Sequence, residues 1–316
     1  MTAPAFNDVL AALRAAAEPT RLRLLALCAE GELTVGEITQ ALAQSQPRVS
    51  RHLKLLCDAG LLERFREEHW VYYRVPGRGA GADIARNLLG LVATDDRTLT
   101  RDRTHANQVR AARAATAAEH LPDDASSAPI REMTPELVAS LRDAVAGERV
   151  GQLLDIGSGL GRILRVLGPE ADEAVGLDIS IEALRFARST LHAAGLKRCT
   201  LRRGDMYRLP FPAASFDTVT MDAVLHGASD PVAVLRQAAQ TLRPGGRIVV
   251  LDDVERLRQR LGHPMVEGVI RDWLERAGCA TETVRRVADR GETTLLLVAR
   301  KIGDRSGFAQ REALAG

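Results

Sequence analysis

The spacing of apolar and polar positions changes character along the chain. Between residues 5 and 75, apolar residues recur at helical intervals in short stretches. "PTRLRLLALCAEG" repeats leucine along one face and stops at Gly31. "TVGEITQALAQ" opens on Thr34 with Glu37 three residues later, the signature of a capping box. Ser45 can cap the next helix, whose first turn tolerates Pro47, and Gly60 closes it. Within that helix, residues 45–57, Leu53, Leu55 and Leu56 are placed to bury. Gln46, Arg48, Ser50, Arg51, His52 and Lys54 lie on or near the exposed side. "LLERFREEHWVYYRV" sets strand-type residues on both sides of the polar turn "REEH", which predicts a β-hairpin.

Residues 80–121 are rich in Ala and Arg with few breakers and predict one or two long helices. "LPDDASSAP", residues 121–129, has the composition of a linker. From about residue 135, strand-like and helical stretches alternate. The strands are predicted in "GQLLDIG", "EAVGLDIS", "CTLRRGD", "FDTVTMDAV", "GGRIVVLDDV" and "TTLLLVARK". That rhythm predicts a mainly parallel, doubly wound α/β sheet. No internal repeat is visible, and the tail 303–316 reads as poorly ordered. The expected division is a DNA-binding domain at 1–78, a helical dimerisation or linker segment at 79–134, and a ligand-binding domain at 135–302.

A length of 316 residues accommodates two cores, and 46% apolar with 27% charged residues describes a globular chain. The net charge of +2 carries no global polyanion signal, so any nucleic-acid surface must be a local patch. No apolar run approaches the roughly 20 residues that span a bilayer. The start lacks the basic and apolar blocks of a signal peptide, so no membrane partner and a cytoplasmic setting are expected. Cys28, Cys57, Cys199 and Cys279 show no C-x-x-C spacing, which argues against structural disulfides and thiolate zinc sites. Aromatic residues at 3% argue against single-strand binding by base stacking.

Two helices joined by a tight turn and followed by a β wing make a winged helix-turn-helix. The helix at 45–57 would enter the major groove, where Arg and Gln pair with base edges. Arg64, Arg66 and Arg74 of the wing would lie along the phosphates. A single basic helix on its own reads better as a solvated face; the order helix, helix, glycine and wing reverses that preference. Over residues 5–76 this sequence resembles the arsenical-repressor (ArsR) family of dimeric bacterial transcription regulators. The resemblance implies operator DNA and a homodimer. Family members commonly sense metals through a Glu-Leu-Cys-Val-Cys-Asp-Leu box, where this sequence has "ELTVGEI". Thr34 and Gly36 stand at the cysteine positions and supply no soft ligand, so no metal is expected.

"LLDIGSGLG" places Asp155, Gly157, Ser158, Gly159 and Gly161 after an apolar strand. Glycines allow a tight turn and close approach of a ligand to the following helix start. The dinucleotide spacing G-x-G-x-x-G fails here, because residues 157–162 read G-S-G-L-G-R. Asp178 and Ile179 end a second strand, and Gly204, Asp205 and Met206 follow a third. Either aspartate could also serve only to cap a strand end. Residues 135–302 resemble class I S-adenosylmethionine-dependent methyltransferases. By position, the resemblance implies that Asp155, Gly157 and Gly159 face the methionine part, Asp178 the ribose, and Asp205 with Met206 the adenine. Met221 and Asp222 would close the pocket near the sulfonium.

Methyl transfer to a hydroxyl needs a base, and the candidate is His226 in "AVLHG", a position where a packed histidine is equally natural. Compared with fused regulator–methyltransferases, the stretches that wall the acceptor pocket are altered: "LPDDASSAPIREMTPE", "GASDP" without an aromatic residue, and a shortened "ERLRQRLGHPMVEGVIRDWLERAGC". The expected function is therefore a dimeric regulator, of repressor type, that senses S-adenosylmethionine or S-adenosylhomocysteine. The rival is an active methyltransferase with an attached DNA-binding domain. A third reading, in which the first domain only dimerises an enzyme, is opposed by the Arg and Gln residues on the recognition helix.

Overall fold

The chain opens with helices α1 (Phe6–Ala16), α2 (Pro19–Ala29), α3 (Val35–Leu42) and α4 (Gln46–Asp58). They are seen in a computed structural model that describes residues 4–67, 70–77, 79–118, 132–196 and 198–302. The side chains set the helix starts. Glu18 accepts the Arg21 amide ahead of Pro19, and Thr34 and Glu37 form the reciprocal capping box. Ser45 occupies the N-cap of α4 with extended backbone, but its hydroxyl makes no cap bond. The tight turn from α3 into α4 puts Ala43 in the left-handed region at φ 52°, a strain of ~1–2 kcal/mol that the surrounding packing must offset.

A small antiparallel sheet accompanies these helices. Strand β1 (Leu33–Thr34) pairs with β3 (Trp70–Arg74), which pairs with β2 (Glu63–Glu67), giving the order β1-β3-β2. The hairpin is the predicted wing; residues 68 and 69 of its turn lie outside the described residues. Two helices follow, α5 (Ala80–Gly90) and α6 (Arg97–Ala118). Gly81 admits the close approach of α5, because a Cβ there would lie 1.9 Å from the Gly60 carbonyl. Leu24, Leu27, Ile38, Val49, Leu53, Leu56 and Ile84 form one core.

By their contacts, residues 1–126 and 185–200 group as one unit, and residues 127–184 and 201–316 as another. By this grouping, helices α5 and α6 belong with the first unit. The linker expected at 121–129 and the tail expected at 303–316 lie outside the described residues.

The second unit is built on a seven-stranded sheet. Its strands are β4 (Gly151–Ile156), β5 (Ala171–Asp178), β6 (Cys199–Arg203), β7 (Phe216–Asp222), β8 (Leu242–Asp253), β9 (Cys279–Asp289) and β10 (Glu292–Lys301). Their order is β6-β5-β4-β7-β8-β10-β9. Strand β4 runs parallel to β5 and to β7, and β7 parallel to β8. The closing β9–β10 hairpin is antiparallel. The chain's helices α7 (Pro135–Val145), α8 (Arg162–Leu167), α9 (Ile181–Ala193), α10 (Pro231–Thr241), α11 (Val254–Leu261) and α12 (Val266–Arg276) complete the description.

Central strands such as "QLLDI" and "IVVLD" are apolar almost throughout because both faces are covered. The core joins Ile156, Val219 and Val250 from the sheet to Leu235, Leu257 and Ile270 from α10, α11 and α12. This is the class I methyltransferase fold, Rossmann-like and mostly parallel, and the first unit is a winged helix-turn-helix. The strand order reverses at β4, so the carboxyl ends of β4, β5 and β7 flank the crevice where ligands bind in such sheets.

Candidate nucleic-acid interface and ligand site

Helix α4 buries Val49, Leu53 and Leu56 and turns Gln46, Arg48, Arg51 and Lys54 to solvent. Leu55, expected to bury, is 41% exposed on that same outer face. Ser50 is half-buried. His52 turns inward, its Nδ1 lying 3.7 Å from Glu18 Oε2, so it does not share the open face with the arginines. On the wing, Arg64 and Arg66 alternate outward along β2. Arg74 departs from expectation. It is 8% exposed, donates to Glu32 at 2.8 Å and to Glu63 at 2.5 Å, and lies 5.0 Å from the Phe65 ring centroid. Two carboxylates and an aromatic ring hold it in the unit's interior, so phosphate contact is not its role.

At the place of the metal box, Thr34 is engaged by Glu37. Burial pushes the Cys28 thiol up to about 12 and the Cys57 thiol up to about 11, far from the thiolate form that binds metal. Among the described residues, no group of three or more His, Cys, Asp or Glu side chains converges as a metal site.

In the second unit, the turn after β4 is preformed. The amides of Gly157 and Ser158 both donate to the Leu177 carbonyl, at 2.7 and 3.0 Å. Gly157, Gly159 and Gly161 all have positive φ, and a Cβ on Gly157 would lie 2.6 Å from Val224. Asp178 ties the turn down: one carboxylate oxygen accepts the Gly159 amide at 2.7 Å and the other the Ser180 amide at 2.8 Å. Beside it Ile179 is 67% exposed, an apolar surface suited to a flat ring. Gly204 packs against Leu177, Asp205 is exposed and accepts the Tyr207 amide, and Met206 is half-buried.

Beneath the turn, Asp155 is 1% exposed and accepts the Thr220 hydroxyl on one oxygen. Its other oxygen and the buried Ser158 hydroxyl have no protein partner. Burial drives the Asp155 carboxyl well above the usual carboxylate range. A glycine turn with two buried polar atoms unpaired beneath it fits the amino-acid end of an adenosyl ligand.

The expected sulfonium wall is corrected. Met221 is wholly buried in the core, so it offers the pocket no surface. Asp222 receives two hydrogen bonds from Arg162, at 2.7 and 2.8 Å, and Arg162 reaches Asp289 at 3.0 Å. Arg162 therefore neutralises the carboxylate expected to face the sulfonium. Asp289 also accepts the Thr134 amide, so this node fastens the start of α7 and the β9–β10 hairpin together.

His226 is not merely packed. Its Nδ1 lies 2.6 Å from Asp252 Oδ1 and its amide donates to Asp252 Oδ2 at 3.0 Å, while Asp252 is fully buried. A carboxylate at Nδ1 fixes the tautomer that leaves Nε2 as the acceptor. Across the same rim, Tyr207 Oη meets Ser229 Oγ at 2.8 Å and accepts the Asp230 amide. An aromatic side chain from the loop after β6 thus stands beside "GASDP", where the sequence has none.

Comparison with known proteins follows this division. Residues 18–64 match the family model for bacterial regulatory proteins of the arsR family, and residues 154–250 match a methyltransferase-domain model. The arsenic resistance transcriptional regulator ArsR1 of Pseudomonas putida is 53% identical over 60 residues, 19% of this chain and 47% of the regulator. An uncharacterized methyltransferase, YcgJ of Bacillus subtilis, is 32% identical over 101 residues, 32% of this chain and 40% of its own length. In sequence, the chain matches less than half the length of either relative. The crystal structure of YcgJ superposes with a TM-score of 0.45 at 18% identity, covering 52% of this chain and 97% of YcgJ. No helix among the described residues is long and apolar enough to cross a membrane.

Proposed function

We propose that this chain, which joins an ArsR-type regulator domain to a methyltransferase domain, is a DNA-binding transcription regulator. Its second domain senses S-adenosylmethionine or S-adenosylhomocysteine. The observation that carries this reading is the open face of Gln46, Arg48, Arg51 and Lys54 on a helix whose opposite side is buried. Arginine in that setting pairs with guanine edges, while Arg64 and Arg66 grip phosphates. Phe6, Leu13 and Leu91, exposed apolar residues of the first unit, support a homodimer that buries them. A twofold dimer reads two half-sites about one helical turn, or a multiple, apart, and repression is the usual action of such regulators.

For the ligand, Asp178 would take the ribose hydroxyls and Ile179 with Met206 would flank the adenine. The unpaired Asp155 and Ser158 atoms would take the amino-acid end. Because Arg162 answers Asp222, that carboxylate is not open to the sulfonium. The two adenosyl ligands should therefore bind within about tenfold of each other, a difference below ~1.4 kcal/mol.

Calorimetry of each ligand, with and without operator DNA, tests the regulatory reading. A ligand that changes DNA affinity tenfold carries ~1.4 kcal/mol of coupling, and DNA must change the ligand's affinity by the same factor. Equal ligand affinity in both titrations overturns the sensor. A second reading, an active methyltransferase, is favoured by the His226–Asp252 pair. Bound S-adenosylmethionine would supply the methyl group, and His226 Nε2 would accept the acceptor's proton. Turnover on phenolic acceptors that falls at least a hundredfold in His226→Gln would establish it.

A further inference from the structure

We propose that the first unit holds a separate binding site for a small aromatic carboxylate, in a cavity of about 210 Å³ lined by Thr34, Glu37, Trp70, Tyr72, Arg113 and Arg185. The lining is unbalanced toward positive charge. Glu37 is its carboxylate, and both oxygens are committed: one accepts the Thr34 amide and hydroxyl at 2.7 and 2.9 Å, the other Arg113 Nη1 at 2.9 Å. Arg113, with its side chain 5% exposed, places Nε 3.4 Å from Ser189 Oγ and leaves Nη2 without an acceptor.

One turn earlier on α6, buried Arg110 leaves Nε and Nη2 without acceptors as well. Burial, with repulsion from Arg113, lowers Arg110 to about 10. Arg110 stands outside the cavity's lining and adds only to its positive field; the unanswered N–H of the lining Arg113 is costly, and an anionic ligand would answer it with a charge-assisted hydrogen bond.

The walls select shape. Trp70 is partly exposed with the Arg185 guanidinium 5.1 Å from its ring centroid, and Tyr72 is buried. The Tyr72 ring already packs with Phe65 and Arg188, so a flat ring would stack on Trp70 while its carboxylate turns to Arg113. The cavity is smaller than the ~300–1,000 Å³ usual for drug-sized ligands, which limits the guest to about one ring. The cavity's walls include α3 and β3, the neighbours of the recognition helix and the outer wing strand. The site stands whether or not the second unit binds an adenosyl ligand.

The chain's two tryptophans are Trp70 and Trp273, so Trp273→Phe leaves Trp70 as the sole indole reporter. In that variant of the full chain, benzoate should change the emission saturably, and neutral benzamide should not. Arg113→Met should weaken benzoate at least tenfold. Ala112→Phe, which narrows the cavity from its exposed rim and leaves the Arg113–Glu37 pair intact, should do the same with an unchanged melting curve. No saturable response to benzoate at millimolar concentration overturns the proposal, as does equal binding of benzamide. Full benzoate affinity in a folded Ala112→Phe chain overturns its location.

Discussion

On α4, Arg48, Arg51 and Lys54 stand in solvent, whereas at the carboxyl end of the seven-stranded sheet Arg162 is gripped by Asp222 and Asp289 and Asp252 is sealed against His226. Exposed charges contribute little to a fold because water screens them. They remain available to a partner that brings its own charge. Charges taken out of water must be answered within the protein, and removing one member strands the rest. Substitutions on α4 should therefore read out as lost binding. Substitutions at the sheet end should read out first as lost stability.

The sharpest way to break this contrast is Arg162→Ala. It leaves Asp222 and Asp289, both largely buried, without their cation, and should cost about 3–5 kcal/mol in denaturant unfolding of the full chain. Neutralising both carboxylates as well should recover part of that loss. If Arg162→Ala unfolds at the original midpoint, the node is not structural.

On the other side of the contrast, Arg51→Ala should weaken specific DNA binding by about 1–3 kcal/mol and leave unfolding within about 0.5 kcal/mol of the parent. Arg74→Ala, which removes the cation paired with buried Glu32 and with Glu63, should behave like Arg162→Ala, although its sequence neighbours belong to the wing. A pure binding defect in Arg74→Ala would return it to the phosphates.

The smallest effect is a matter of pH. The Asp155 carboxyl titrates above its ordinary value of 3.8, so the folded chain holds a proton that the unfolded chain has released. Its contribution is complete below the ordinary value and is lost as pH rises through the raised one. Asp155→Asn should therefore match the parent near about pH 3 and gain on it toward neutrality, in urea midpoints followed across that range. A parallel pH dependence in the two proteins would remove the argument that Asp155 is desolvated.

What could be foreseen from the sequence was whatever repeats locally. The capping box at Thr34 and Glu37, the α4 face, the wing and the β4 glycine turn each occupy a few neighbouring positions. Strand β9 escaped because "CATETVRRVAD" is an edge strand of the sheet with half its side chains in solvent, so it lacks the apolar run of its neighbours. Partners distant in sequence were also invisible. Arg162 meets Asp222 and Asp289, separated from it by 60 and 127 positions, and no periodicity encodes that. The same holds for Arg74 with Glu32, for His226 with Asp252, and for Tyr207 with Ser229. The first of these cost Arg74 its expected phosphate. The other two gave the rim of the sheet a dyad and an aromatic side chain where the sequence showed a lone histidine and a polar turn.

Asp178 holds the Gly159 and Ser180 amides with its two oxygens, and each oxygen keeps a second lone pair for other donors. The glycine turn is thus already closed before any ligand arrives. The consequence is kinetic: association with this turn carries no loop-ordering step, so its speed is set by encounter and desolvation, and differences in affinity among ligands of one shape appear in how long each stays.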